Sequence, residues 1–541
     1  MTQRTLIGWL VPTIVVLGVG CGKTDEPAPL PKQPLLAPGD ACDPAVVPAA
    51  QTEDPEDDKD PQPVCAPGLA CAPRADGDAH VCGPALAIAG RVTDATTGVA
   101  LAGALVVAFN ENGEPVTDVV ATDACGDYRL PLTVRREASG EFAESLKWTL
   151  GVSARDHQPF PTGLRPALPI DIGDAAPDPE WMEDPAAEEA DKSYPVSLIQ
   201  NTATSVALIS LGIEAAGVTV AGSLGSAGAG ALVVAEGAEA PAPYAVADVS
   251  GAFTLFNVPA GAATIRAYRK DLVSAAKPLT IGAEDVAGAD LTASVDPARL
   301  ATVSGTLNIV NAPGGSLTSV VLVPASVYNA ALERGPVPLG LRDPPPPAAP
   351  DVAGGFTLDG VPDGTYKVLV AFENDFLVRD PDMNIAGTQI QEITVAGGAA
   401  VAVPDGFKVT EALAIRGPGL DGPEQVEAKP TFTWADDSSE DGYTVVVYDA
   451  LGEQVWTTEL PGGNGGDVAV EYAGPALQSG MYYQFRVTSW REVQNKRSDI
   501  SRTEDLRGVF VHGEAPPLPE CVLEDTTGGE ESGESSESSG G

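Results

Sequence analysis

Asp248-Val-Ser-Gly251-Ala-Phe253-Thr-Leu255 decides the reading of this chain, because its pattern occurs three times. The other copies are Asp123-Ala-Cys-Gly126-Asp-Tyr128-Arg-Leu130 and Asp351-Val-Ala-Gly354-Gly-Phe356-Thr-Leu358. Asp-x-x-Gly-x-aromatic-x-Leu describes a tight turn running into a strand. The Asp side chain can accept from the backbone two residues on, and Gly supplies a positive φ. The aromatic residue and Leu, two positions apart, then face the same way.

The flanks repeat as well. Each copy is preceded by an alternating strand with Gly at its centre: Ile88-Ala-Gly90-Arg-Val92, Val220-Ala-Gly222-Ser-Leu224 and Val303-Ser-Gly305-Thr-Leu307. A second, apolar strand follows each: Ala104-Leu-Val-Val-Ala108, Ala231-Leu-Val-Val-Ala235 and Ser319-Val-Val-Leu-Val323. After the shared turn, copies two and three add Val258-Pro-Ala-Gly261 and Val361-Pro-Asp-Gly364, which lead into the strands Thr264–Tyr268 and Tyr366–Phe372. Units of this kind bury a core only as small sheets packed face to face. Composition agrees: 541 residues with 59 Gly and 49 Pro mean frequent turns, and 43% hydrophobic but only 5% aromatic residues suit thin modules.

In order and spacing, these motifs resemble the carboxypeptidase regulatory-like family, whose module is a transthyretin-like β-sandwich. The resemblance covers roughly residues 86–410 in three copies. It implies sandwiches at 86–213, 214–298 and 300–410, and no catalytic residues within them. Copy one lacks the Pro-x-Gly turn and carries an acidic insertion around Asp171 to Asp191; copy three carries a Pro-rich loop at Gly335 to Pro350. Residues 411–515 differ. Phe432 and Trp434 share one strand face, and Tyr443–Tyr448 and Met481–Val487 alternate. This region resembles a fibronectin type III or other immunoglobulin-like sandwich, in which Trp434 packs in the core and Tyr483 pins a corner. The expected fold class is therefore all-β: tandem β-sandwich modules joined by flexible, acidic, Pro-rich linkers.

The ends read differently. Leu6 to Val19 is an apolar run too short to span a bilayer, which takes about 20 residues, but of signal-peptide length. It ends in Leu17-Gly18-Val19-Gly20-Cys21, which resembles a bacterial lipobox, with Gly18 in place of the usual Leu. The resemblance implies a signal peptide at 1–20 and lipidation of Cys21, because two or three acyl chains anchor stably where one does not. A tether over 21–41 and a disordered acidic tail over 516–541 complete the layout.

Four cysteines, Cys42, Cys65, Cys71 and Cys82, fall within a Pro- and Asp-rich segment, 42–84, that is too poor in large apolar residues to fold on its own core. Export favours disulfides, with three connectivities open, over zinc, whose usual Cys-x2–4-Cys spacing is absent. Cys125 and Cys521 are left free or paired.

The net charge of −45 excludes phosphate-backbone partners, so no nucleic acid is expected. His80, His157 and His512 lie far apart, and no His-Glu-x-x-His, Gly-x-Ser-x-Gly or phosphate loop occurs. No cofactor is expected. The one weak calcium candidate is the loop carrying Asp436, Asp437, Glu440 and Asp441, which lacks the EF-hand order and reads better as a polar hairpin. Trp181 and Trp490 are the candidate glycan-stacking residues. The expectation is a non-catalytic lipoprotein of the outer membrane or cell surface, membrane-attached through its lipid. It displays its modules for adhesion or for a glycan or protein ligand. The alternative is a structural spacer, or an accessory subunit of an envelope assembly or surface hydrolase.

Overall fold

The computed structural model describes residues 34–46, 62–143, 145–183, 192–212, 217–237, 240–310, 317–370, 375–380, 389–427, 429–463 and 465–513. Within them, regular structure is strand, apart from single 3₁₀ turns such as Pro297–Arg299. The protein is all-β, built as tandem modules.

The three repeats share one strand scheme. The Gly-centred opening strand pairs antiparallel with the strand that follows the Asp-x-x-Gly turn: Leu86–Asp94 with Asp127–Leu132, Val218–Ser223 with Ala252–Val258, and Ala301–Val310 with Gly355–Val361. The second, apolar strand lies in the opposite sheet. It pairs with the strand after the turn region: Leu105–Asn110 with Lys147–Ser153, Leu232–Glu236 with Gly261–Tyr268, and Val320–Pro324 with Gly364–Val370. The chain thus alternates between two sheets and buries the aromatic-Leu face of each repeat between them.

The central Gly has a packing cause. Gly90, Gly222 and Gly305 lie directly across from Tyr128, Phe253 and Phe356. A Cβ on Gly305 would stand 2.5 Å from the Phe356 ring, and one on Gly222 2.8 Å from the Phe253 ring and 2.6 Å from the Ala289 backbone. On Gly90 it would meet the Thr204 carbonyl at 2.0 Å, the same carbonyl that accepts the Tyr128 hydroxyl at 2.6 Å. Each aromatic ring is laid across its partner strand through the gap the Gly leaves.

The turns follow their expected chemistry in the first two copies. Asp123 Oδ1 accepts from the N–H groups of Cys125 and Asp127, and Asp248 Oδ1 from those of Ser250 and Ala252. Gly126 and Gly251 have φ of 71° and 83°. The third copy departs, since Gly354 does not adopt a positive φ. One bond is kept in all three: Val92, Leu224 and Leu307 donate to the carbonyls of Gly126, Gly251 and Gly354.

Residues 411–513 form a further sandwich. One sheet holds Ile415–Gly417, Thr431–Ala435 and Asp467–Glu471; the other is centred on Tyr482–Val493 beside Gly442–Asp449. Trp434 is fully buried edge-on to Tyr443, and Phe432 stacks on Phe485 at 4.5 Å. The Tyr483 hydroxyl accepts from the Gln478 N–H at 2.8 Å, fastening the loop before its own strand.

In the cysteine-rich segment the connectivity is Cys42–Cys71 and Cys65–Cys82. Cys125 is disulfide-bonded too. Leu35–Leu36, expected in the tether, pairs parallel with Val64–Cys65. The segment also packs on the first sandwich: Arg136 is buried beneath it, donates to the Pro84 and Gly140 carbonyls and lies over the Phe142 ring. Residues 1–33, including Cys21, and 514–541 lie outside the described residues.

The connection between sandwiches two and three is short. Strand Ala301–Val310 starts two residues after the Pro297–Arg299 turn, so sandwiches two and three are joined almost directly. Their cores merge: Leu232, Val234 and Tyr268 of the second belong to the same buried cluster as Tyr366 and Val320 of the third. Ala95 and Ile209 of the first likewise sit in the core of the fourth. The modules are packed against one another, because each presents apolar surface beyond its own core.

Candidate functional site

The outward faces of two equivalent strands create the site. In Leu105–Asn110 the inward residues Val106 and Ala108 fill the first core, while Leu105, Val107 and Phe109 point away from it. In Leu232–Glu236, Val233 and Ala235 point inward and Leu232 and Val234 outward. Continuous apolar runs such as Ala104-Leu-Val-Val-Ala108 carry no polar alternation, which is the mark of a strand covered on both faces.

Between these faces lies a cavity of about 480 Å³, roofed by Pro336–Gly340 from the third sandwich. Leu339 of this roof reaches both neighbours. A Cβ on Gly230 would meet Leu339 Cδ2 at 2.7 Å, and one on Gly113 would meet Cδ1 at 3.8 Å. The roof is fastened by the Lys270 N–H donating to the Leu339 carbonyl at 2.9 Å. Proline at 336 and 338 fixes φ and leaves no N–H to satisfy. The Pro-rich stretch read from sequence as a loop is therefore an inter-module wall.

A second cavity of about 760 Å³ adjoins the first along Ser153, Pro159, Tyr244 and Pro336, and it is more polar. Its polar groups are largely committed to holding modules together. Asn257 Oδ1 accepts from the Asp156 N–H at 2.6 Å, Gln158 Nε2 donates to the Ala450 carbonyl at 2.9 Å, and Asn329 Nδ2 to the Leu451 carbonyl at 3.2 Å. Burial pushes the Tyr244 hydroxyl up to about 12, so it stays protonated and bonds Thr162 Oγ1 at 2.9 Å. His157 has both ring nitrogens engaged, one by the Arg155 carbonyl at 2.7 Å and one by Asp94 Oδ2 at 3.1 Å. Burial works against the Asp94 charge, yet Thr97, Thr96 and His157 hold its carboxyl below the ordinary range. The pair braces the loop at His157 against the turn that Asp94 closes.

Behind the polar cavity, buried charges join three sandwiches. Glu333 receives Arg502 at 2.5 Å and Arg379 at 3.2 Å, with Arg486 at 3.8 Å. Asp505 lies 3.5 Å from Arg486 and 3.7 Å from Arg334, which also donates to the Gly163 carbonyl of the first sandwich. Burial pushes the Glu333 carboxyl up, but Arg502, Arg379 and Arg486 overcome it and hold it at about 2. Burial lowers Arg334 to about 10.

Glu504, close by, behaves oppositely. Burial raises its carboxyl to about 7, against the pull of the Phe376 N–H and Arg507. Between the ordinary carboxylate value and 7, the folded chain therefore holds a proton that the unfolded chain has lost. Stability from this group is greatest below about pH 4.5 and declines as pH rises to 7, by about 3 kcal/mol. Glu504→Gln is expected to remove that decline. Urea unfolding at pH 5 and pH 8 checks it: the wild type should lose stability across the interval, and the variant should lose markedly less.

The four calcium candidates accept hydrogen bonds from neighbouring groups. Asp436 accepts from the Tyr443 hydroxyl and the Gly465 N–H, and Asp437 from Ser439 and the Ser489 hydroxyl. Glu440 accepts from the Gly463 N–H, and Asp441 from the Glu492 N–H. Among the described residues, the groups of three potential metal ligands that converge are Cys42, Cys65 and Cys82, and Asp123, Cys125 and Asp127. All four cysteines in them are disulfide-bonded, so neither group offers a thiolate. Trp181 donates to Ser193 Oγ at 3.3 Å; Trp490 covers Gly442 and carries Arg497 on its ring at 4.5 Å. No helix among the described residues is long and apolar enough to cross a membrane.

No family model and no curated protein matches the chain. Solved structures with partial likeness include the Bacillus anthracis TIE protein, 11% identical over 76% of this chain and 67% of that one, with a TM-score of 0.14. A streptococcal ancillary pilin is 14% identical over 51% and 81%, with a TM-score of 0.15. Two B repeat units of the collagen-binding protein of Staphylococcus aureus are 9% identical over 80% and 100%, with a TM-score of 0.14.

Proposed function

We propose that this chain is a non-catalytic, exported lipoprotein of the bacterial cell envelope that presents a rigid block of β-sandwiches to a carbohydrate or protein ligand. The observation that carries this reading is the packing of the sandwiches around an open cleft. Merged cores and the buried Glu333 cluster hold the modules in fixed relation, and preorganised surfaces bind at lower entropic cost. A block of this kind suits ligand display better than an extended spacer does. The carboxypeptidase regulatory-like reading of the three repeats is supported by their common strand scheme. The fibronectin-like reading of the last sandwich is supported by buried Trp434 and the Tyr483 hydroxyl bond. Attachment rests on Cys21.

Intact-mass analysis of the membrane fraction tests the anchor: acyl mass on a chain starting at Cys21 supports it, and an unmodified Cys21 refutes it. Glycan-array and pull-down measurements test the display role. A saturable ligand supports it, whereas binding to nothing in either favours the spacer.

A further inference from the structure

The outward strand faces of the first two sandwiches are chemically alike but end differently. Val234 of the second is sealed by the third sandwich, in one core with Tyr268 and Tyr366, while Leu232 sits where that core meets the cavity. Leu105, Val107 and Phe109 of the first face the 480 Å³ cavity. Phe160 and Val246 add apolar wall, and the Leu339 roof stands across the gap without filling it. The strand is neither exposed like a solvated sheet face nor packed like a core. Apolar cavities of this kind stay poorly hydrated and gain free energy by taking up apolar groups.

Charge narrows the class. The cavity lining includes Glu111, Asp248 and Arg342, in a chain of net charge −45. The long-range field repels anions. We propose that this cavity is a binding site for a neutral molecule with a hydrocarbon or aromatic body, held between the Leu105-Val107-Phe109 face and the Leu339 roof. The inference goes beyond the display role and does not depend on Cys21.

The test uses the full chain and the neutral fluorophore N-phenyl-1-naphthylamine, with its anionic counterpart anilinonaphthalene sulfonate alongside. Val246→Trp and Leu339→Trp fill the cavity from opposite sides. The apolar run at residues 6–19 is common to every variant, so the reading is the difference between variants. The expected result is saturable uptake of the neutral probe, weaker uptake of the anion, and affinity reduced about ten-fold or more in each filled variant. Near-UV circular dichroism identifies which variants keep the native fold. If either folded variant binds the probe as the wild type does, the proposal is overturned. Absence of saturable binding in the wild type overturns it as well. Should both tryptophan variants unfold, Thr149→Glu places a charge on the same wall and must also abolish uptake. Failure here leaves glycan or protein binding elsewhere on the block untouched, and failure of that role leaves probe uptake intact.

Discussion

Replacing Glu333 by Gln is expected to cost about 3–5 kcal/mol, the usual penalty for removing one partner from a buried ion cluster. Arg379 is 3% exposed at its side chain and Arg502 24%, and both point at Glu333. Gln offers them one carbonyl and no charge, so Arg379 loses its counter-ion in a nearly closed site, while Arg502 keeps partial access to water. Asp505 already serves Arg334 and Arg486. The loss should appear as a lower urea midpoint for the third and fourth sandwiches together, because the cluster joins them. The pH dependence has a definite sign. With its folded value depressed to about 2, Glu333 contributes fully above pH 4.5, and the contribution is lost as pH falls toward 2. The variant should therefore converge on the wild type in acid. A midpoint unchanged at pH 7 would show that the cluster bears no weight.

The second large effect lies at the strand-centre glycines. Gly222→Ala and Gly305→Ala should each cost about 2–4 kcal/mol, since overpacking a closed site forces backbone or ring displacement. At Gly305 the nearest atoms belong to the Phe356 ring, at 2.5 and 2.6 Å. Shrinking that ring in Gly305→Ala/Phe356→Leu should recover part of the loss, giving a coupling of about 1 kcal/mol or more in a double-mutant cycle. At Gly90 the obstacle is the Thr204 carbonyl at 2.0 Å, so Gly90→Ala combined with Tyr128→Phe should recover nothing. Thermal unfolding of the single and paired variants separates the two cases. Equal rescue at both sites would contradict the ring-in-gap account.

How much of this was legible in the chain follows from the range over which each feature acts. Asp248, Gly251 and Phe253 announce a turn and a strand because their chemistry is local: one carboxylate bonds amides two and four residues on, and one Gly adopts a positive φ of 83°. Gly222 two strands away could be matched to Phe253 only as a recurring pair, and the register explains the recurrence. The carboxylates of the Asp436–Asp441 loop mix ranges: Asp437 accepts from Ser439 two residues on, whereas Asp441 accepts from the Glu492 N–H of a neighbouring strand. In sequence such a loop is indistinguishable from an ion site.

The candidate site was not legible in that way. Its walls come from residues 105–109, from Leu232 and residues 244–246, and from residues 336–340, brought together by packing between modules. The cue present in sequence was the unbroken apolar run in the second strands, which says that both faces are covered but not by what. Glu333, Arg486 and Arg502 carry no shared motif, and only the seating of one sandwich on the next joins them. The sequence alone therefore determines an all-β chain of repeated sandwiches, because turn chemistry and strand alternation are local and periodic. Tertiary structure decides that the sandwiches form one packed block around a cleft, because that depends on long-range complementarity between outward faces.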